Sequence, residues 1–163
     1  MFIEKWKDTA FGSDFGNDFL QFMESIPTAP LSLSAVYEHC DLALYIDQPD
    51  RLNQRTDNNV RLHNTGFEQY VHYEDALIAL AAVVAESQLN GSADLSHAYG
   101  SKTLVFEITK AELISLKEAL VQLHSNPDKF VLFQMLDPIG RTETLADIAD
   151  IVVQLGNCIA NKE

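Results

Sequence analysis

The stretch YEDALIALAAVVAESQLNG, residues 73 to 91, decides the fold. Alanine, leucine, isoleucine and valine occupy every position from 76 to 85, and a helix that is apolar on all sides is normally buried on all sides. Asn90-Gly91 then offers the residue types that end a helix in the left-handed conformation. The stretch therefore predicts a central helix over about residues 73 to 89. Its apolar run is roughly half the length that a bilayer requires, so no membrane span is expected.

Other segments predict helices because their apolar residues recur at intervals of three and four. The clearest begins at Thr109, which forms a capping box with Glu112 ahead of a series of leucines. The others cover about residues 15 to 26, 31 to 46 and 142 to 161, with a short helix from 126 to before 138. We expect an all-α, single-domain protein over residues 1 to 163, with five or six helices in a bundle or an orthogonal array.

Extended structure has little support in the sequence. The β-branched and aromatic run KTLVFEI, residues 102 to 108, is typical of a strand, and residues 60 to 62 form a second, shorter candidate. We therefore expect at most one or two short strands.

A long polar connection is expected over residues 47 to 66, where apolar periodicity is weak. It contains three of the four arginines of the chain, Arg51, Arg55 and Arg61, with His63 nearby. Two interpretations remain open. The basic patch could bind a phosphate or carboxylate, or its arginines could pair with the acids of the same connection. Those acids are Asp47, Asp50 and Asp57.

The charge is strongly biased, with 24 acidic residues against 11 lysines and arginines and a formal net charge of −13. A chain this acidic repels the phosphate backbone, so nucleic acid is excluded as an ordinary partner. A basic protein would instead be attracted and steered towards it. The alternative is that the charge serves only solubility.

The two cysteines, Cys40 and Cys158, lie within helical apolar patterns and lack metal-type spacing. Buried free thiols are expected, which favours a reducing compartment. The N-terminal MFIEKWKDTA has no apolar core of a secretory leader. We therefore expect a cytoplasmic protein.

No motif in the chain predicts catalysis, a cofactor or a metal site. Asp14-Phe15-Gly16 matches the magnesium-binding triplet of protein kinases, but only thirteen residues precede it, and the other kinase elements require more. Asp14 and Asn17 are instead suited to capping the helix that follows, with Asp18 near its positive end. The histidines are scattered and lack the paired Glu-x-x-His motifs of di-iron bundles.

An acidic face is expected on the last helix, where Glu143, Asp147 and Asp150 share one side with no base between them. Like charges at this spacing reduce helix stability. A basic partner would relieve the repulsion, and an ordinary solvated face is the alternative.

Near the N-terminus, Trp6 is followed by Phe15-x-Asn17-Asp18. This pattern resembles a family of small bacterial proteins of unknown function, which typically begins W-G-x-G-x-F-x-N-D before an alanine-rich helix closed by glycine. Residues 75 to 91 resemble that second block. Here the spacing after the tryptophan is longer, and Lys7 and Thr9 replace the expected glycines. The resemblance implies an all-helical fold, structural roles for Trp6 and Phe15, and Asn17 and Asp18 at a fixed turn. It implies no catalytic residues.

Two classes of function follow. In the first, the protein is a binding module whose acidic surface masks a basic partner, most sharply an immunity-type protein that neutralises a toxin such as a nuclease. Its partner-binding residues would be the two acidic clusters, Asp47, Asp50 and Asp57 together with Glu143, Asp147 and Asp150. In the second, it is a small-ligand-binding protein or enzyme that uses Arg51, Arg55, Arg61 and His63. Binding needs carboxylates spread over an exposed face, whereas catalysis needs groups that converge in a pocket.

Overall fold

The computed structural model describes residues 2–47, 59–63 and 69–162, and for Asp47 it describes only the backbone. The prediction of an all-α fold is confirmed. The described residues form eight α-helices: α1 Ile3–Ala10, α2 Asp14–Ser25, α3 Leu33–Glu38, α4 Leu42–Asp47, α5 Tyr73–Asn90, α6 Lys110–Ser125, α7 Val131–Met135 and α8 Pro138–Ala160. The same described residues also contain two 3₁₀ turns, Leu95–His97 and Pro127–Lys129.

The helix α5 is the centre of the molecule. Every residue from Tyr73 to Ser87 is buried, as the unbroken apolar run predicts, and α1, α2, α6 and α8 all pack against it. The helix ends at Gly91, whose φ of +82° lies in the left-handed region. A glycine adopts this conformation without the steric cost that a Cβ adds.

The described residues contain eight helices instead of the five or six expected. One additional helix is α1, which was not predicted. The other arises because the single helix predicted over residues 31 to 46 is divided into α3 and α4. Between α3 and α4, the carbonyl of His39 accepts the backbone N–H of His63, and the N–H of Asp41 donates to the carbonyl of Arg61. Backbone groups that a continuous helix would use are therefore bonded to an extended segment, and the helix stops.

The helices α6 and α8 pack against α5 and against each other. The capping box of α6 is present, with Thr109 and Glu112 bonding each other's backbone N–H. The last helix begins four residues earlier than the predicted 142, because Pro138 occupies its first turn and Asp137 caps it through Gly140 N. The first N–H groups of a helix have no partner within the helix, so proline, which lacks this N–H, is favoured in the first turn. Pro138 therefore begins α8, whereas we expected it only to end the preceding helix.

In the part of the chain that the structure describes, three two-stranded sheets lie between helices. Strand β1 Leu31–Ser32 pairs in parallel with β6 Phe106–Glu107, and β2 Asn59–Leu62 pairs antiparallel with β3 Gln69–His72. Strand β4 Ala93–Asp94 pairs antiparallel with β5 Thr103–Leu104. The run 102 to 108 is thus extended as expected, but it divides at Val105 and serves two different partners. The expected loop from 47 to 66 contains β2.

Two buried carboxylates fix connections to the helical core. Glu24 on α2 accepts the backbone N–H groups of Ser101 and Lys102, at 2.8 and 2.6 Å. Glu86 on α5 accepts the N–H of Phe2 at 3.0 Å. A buried carboxylate that accepts backbone donors is stabilised in its place, so these two residues hold the N-terminus and the segment before β5.

Candidate functional site

The predicted acidic face of α8 packs against α1. Asp147 Oδ2 accepts the hydroxyl of Thr9 at 2.5 Å. Asp150 Oδ2 accepts both Lys5 Nζ, at 2.9 Å, and the indole N–H of Trp6, at 2.8 Å. Both carboxylates are partly buried, whereas Glu143 is exposed. The base that α8 lacks along its own face is therefore supplied by α1.

The electrostatics of Asp150 agree with this geometry. Partial burial on its own would raise the pKa of the carboxyl group, but the hydrogen bonds from Lys5 and Trp6 outweigh it and lower the pKa below its usual range. The same contact raises the pKa of the Lys5 ammonium. Sequence reasoning missed this arrangement because the partners are about 145 positions apart in the chain.

The contacts between α1 and α8 also fix their relative direction. Residue numbers rise from Lys5 to Thr9 as their partners fall from Asp150 to Asp147, so the two helices are antiparallel. Glu143 lies one turn before Asp147. Along this pair of antiparallel helices, Glu143 therefore lies towards the C-terminal end of α1, where α1 connects to α2.

A pocket opens at the connection between α1 and α2. Its volume is about 410 Å³. The lining residues are those of the connection and the first turns of α2, together with one tyrosine from the segment after the first 3₁₀ turn: Phe11, Gly12, Ser13, Asp14, Asn17, Asp18 and Tyr99. We call it the connection pocket. It contains Asn17 and Asp18, which the resemblance placed at a fixed turn but which lie within α2.

The residues of the N-terminal signature, Trp6 to Asp18, lie in α1, in α2 and in the connection between these helices. The cap of α2 is Ser13, whose hydroxyl accepts Gly16 N, and neither Asp14 nor Asn17 takes that place. Trp6 is fully buried and stacks on Phe2. Phe15 is partly buried and stacks on His72 with ring centroids 4.3 Å apart.

A buried carboxylate lies directly behind the connection pocket. The Ser13 hydroxyl donates to Asp75 Oδ1 at 2.9 Å, and Asp75 is only 5% exposed. Burial raises the pKa of this carboxyl group, although the hydrogen bond from Ser13 and the charge of His72 act in the opposite direction. Asp75 and the buried Glu74 both lie in the first turn of α5, where the helix dipole favours negative charge.

His72, Glu74 and Asp75 are grouped closely enough to be considered as metal ligands, with ligand atoms within 4.8 Å of one another. The sequence predicted no metal site, and no motif in it indicated this group. The carboxylates are already matched to the positive end of α5 and to Ser13. The positive end of that dipole would repel a cation, and the dipole together with the hydrogen bond from Ser13 accounts for the position of the carboxylates.

Half of the predicted arginine patch lies in the described residues. Arg61 is exposed on β2, opposite Tyr70 on β3, with its guanidinium 5.7 Å from the tyrosine ring centroid. His63 Nε2 lies 2.9 Å from Asp41 Oδ1. Neither contact involves the acids of the connection that the alternative interpretation named, because Arg61 contacts a tyrosine and His63 contacts Asp41. Arg51, Arg55, Asp50 and Asp57 lie outside the described residues, and Asp47 ends α4.

The comparison with protein families covers nearly the whole chain. The family model described as immunity protein 68 matches residues 2–156. The chain belongs to this immunity protein family. No curated protein and no solved structure is significantly similar to it.

Membership of the immunity protein 68 family supports an immunity-type role with a toxin as partner, and it favours binding over catalysis. The N-terminal resemblance implied a small, helical protein, and the described residues are mainly helical. The signature from Trp6 to Asp18 stays a prediction. Within the described part of the chain, no helix combines the length and the apolarity needed to cross a membrane.

Proposed function

We propose that this immunity protein neutralises a basic toxin domain, of the nuclease class, by binding to it and masking its active site. The observation that carries the proposal is the net charge of −13 on a chain of the immunity protein 68 family. A nuclease must bind phosphate and therefore carries a basic cleft. An acidic inhibitor is complementary to that cleft, and the opposite charges accelerate its association.

The surface at the start of α8 suits such a contact. Glu143 is exposed, and Ile139, four residues earlier, is 71% exposed. Residues four apart lie on the same side of a helix, so an apolar side chain and a carboxylate face solvent together. Protein interfaces combine an apolar centre with a polar rim. Met135, at the end of α7, is also 60% exposed.

The other proposed partner-binding acids differ in how available they are. Asp147 and Asp150 are hydrogen-bonded to α1, so their carboxylates already take part in the packing of α1 against α8. They are therefore less available to a partner than Glu143. Asp47, Asp50 and Asp57 remain proposed contacts of the second acidic cluster. No contact among the described residues favours the alternative of a small-ligand site at Arg61 and His63.

We place the encounter in the cytoplasm. Cys40 and Cys158 are both free and buried, and burial raises the pKa of the Cys40 thiol to about 12. Inert, reduced thiols suit a reducing compartment.

The experiment is capture of the partner from the native host. The tagged chain is used as bait at low salt, bound proteins are identified by mass spectrometry, and each complex is washed at high salt. We expect a stoichiometric basic protein that is toxic when expressed alone and harmless when the chain is expressed with it. An acidic partner, or toxicity that persists on co-expression, would contradict the proposal.

A further inference from the structure

A groove between α6 and α8 combines exposed apolar side chains with one base and one acid. Its volume is about 500 Å³, and its lining residues are Ile114, Lys117, Glu118, Val121, Gln122 and Ile159. Ile114 is 37% exposed and Val121 is 38% exposed. Apolar side chains that share one surface, unlike single exposed ones, indicate an interaction site. We call this surface the α6/α8 groove.

The groove uses a face of α6 that the core does not use. The core face consists of the buried leucines Leu113, Leu116, Leu120 and Leu123. Ile114 and Val121 are two helical turns apart and therefore lie on one side of the helix. Lys117 and Glu118 lie between them on that same side. The helix α6 thus carries a second apolar stripe, with a base and an acid at its centre.

The charge of the groove differs from that of the whole chain. Of the described residues that line it, Lys117 and Glu118 are charged and have opposite signs. The neighbouring part of α8, from Ile151 to Ala160, contains no charged residue. A basic partner is therefore not attracted to this surface in particular. Because the chain as a whole carries −13, two copies repel each other least where such a neutral surface forms the contact.

The exposed face of α6 is complementary to itself. A two-fold axis that crosses α6 between Lys117 and Glu118 places Lys117 opposite Glu118 of a second copy, with the two helices antiparallel. Ile114 and Val121 each lie three positions farther from the axis, so they face each other. The same arrangement therefore matches base with acid and apolar with apolar, and the symmetry repeats each pair.

The two charged residues are available for such a contact. Neither Lys117 nor Glu118 forms an ion pair with another described residue, and adjacent residues of a helix do not face each other. Lys117 Nζ lies 3.5 Å from the position that a Cβ of Gly156 would take. The absence of a side chain at Gly156 thus leaves room for the lysine beside α8.

We infer that the α6/α8 groove is a homodimer interface, in which α6 packs antiparallel against α6 of a second copy about a two-fold axis. The apolar pairs supply the affinity, and the charged pairs fix the register. The interface is separate from the proposed toxin contact, because Glu143 precedes Gly156 by more than three turns, or roughly 20 Å along α8. Each copy therefore keeps the start of α8 free for a toxin.

The first test is the mass of the full chain in solution, measured by analytical ultracentrifugation at about 0.15 M salt over a range of concentrations. We expect a reversible dimer. Val121→Lys introduces a cation into the apolar contact twice, and it should raise the dimer dissociation constant about a hundredfold. The matched control is Val105→Lys, at a valine that is 43% exposed outside the groove. A wild type that stays monomeric up to about 1 mM, or equal effects of the two variants, would overturn the inference.

Charge reversal tests the register. Lys117→Glu and Glu118→Lys each place like charges opposite one another, and each should weaken the dimer about tenfold. Glu118→Lys also makes the chain less acidic, so it would strengthen the dimer if net charge alone decided association. An equal mixture of the two variants pairs opposite charges again and should restore the wild-type affinity in a mixed dimer. A mixture that associates no better than either variant alone would overturn the inference.

Partner capture distinguishes a second copy from a toxin as the occupant of the groove. We expect Val121→Lys to capture the basic partner as well as Val105→Lys does. If wild type is monomeric and Val121→Lys alone captures less of the partner, the groove is a toxin contact and the inference is overturned. If wild type captures no toxin but forms a dimer that Val121→Lys disrupts, the inference stands and the proposed function fails.

Discussion

The indole nitrogen of Trp6 lies 2.8 Å from Asp150 Oδ2, and Lys5 Nζ lies 2.9 Å from the same oxygen. One carboxylate on α8 thus receives a neutral and a charged donor from adjacent residues of α1. The tryptophan ring is fully buried, so its N–H needs a partner inside the protein. Asp150 meets that need, which makes it part of the packing between α1 and α8.

A double-mutant cycle measures this contact. Trp6→Phe removes the N–H donor, and Asp150→Ala removes the acceptor. Because a hydrogen bond to a charged group contributes about 1.5–3 kcal/mol, we expect a coupling free energy of roughly 1 kcal/mol or more between the two changes. Urea unfolding of the four proteins gives the value. A coupling near zero would mean that the bond contributes nothing to stability.

The lowered pKa of Asp150 predicts a pH dependence. An aspartate has a pKa of about 3.9 in an unfolded chain, and here the folded value is lower. The stabilising contribution is therefore fully present above the unfolded pKa and disappears as the pH falls through the folded pKa. We expect wild type to exceed Asp150→Asn in free energy of unfolding at pH 7, with the difference shrinking below about pH 4. A difference that stays constant with pH would contradict this.

Local patterns predicted much of this fold. The continuous apolar run over α5, the glycine that ends it and the capping box at Thr109 each depend on residues within a few positions of one another, and each prediction is confirmed. Pairings between distant segments were missed. Strand β1 meets β6 across about 75 residues of chain, and no local pattern in the two-residue segment Leu31–Ser32 indicates its partner.

The helix α1 was missed for a different reason. It is only eight residues long and strongly charged, but Ile3, Trp6 and Ala10 recur at intervals of three and four and are all buried. That spacing was the available signal. Because α1 was not predicted, Asp147 and Asp150 were expected to be free carboxylates on an acidic face. Both are in fact hydrogen-bonded to residues of α1.

A second pH dependence, of opposite sign, is expected at Asp75. Burial raises the pKa of its carboxyl group above the unfolded value. The folded state therefore holds its proton to higher pH than the unfolded state does, and stability falls as the pH rises through that interval. Asp75→Asn keeps an oxygen to accept the Ser13 hydroxyl and carries no charge.

We therefore expect Asp75→Asn to gain stability relative to wild type as the pH rises from about 4 towards 7. Thermal unfolding of both proteins across this range provides the measurement. Asp150→Asn is the control, because its difference from wild type has the reverse trend. Parallel profiles for the two variants would show that the environments of the two carboxylates have been assigned wrongly.

Two glycines predict opposite effects of the same substitution. Gly91 has a φ of +82°, so Gly91→Ala strains the end of α5 and should lower stability by about 1 kcal/mol. Gly156 lies inside α8, and a Cβ there would meet Lys117 Nζ at 3.5 Å, an ordinary contact. Gly156→Ala should raise stability by about 0.5–1 kcal/mol. Urea midpoints of both variants are the measurement, and a change of the same sign in both would be inconsistent with these backbone conformations.

Charge reversal at Glu143 tests the proposed toxin contact without disturbing the fold. Glu143 is exposed and makes no ion pair with any described residue, so Glu143→Lys should leave the melting temperature nearly unchanged. Reversal at Asp150 would instead place a cation against Lys5. The matched control is Glu118→Lys, an exposed position on α6. We expect Glu143→Lys to weaken capture of the basic partner about tenfold at low salt, with a smaller difference at high salt, because screening reduces interactions between exposed charges. If both reversals weaken capture equally, the partner responds to net charge and the start of α8 is not a specific contact.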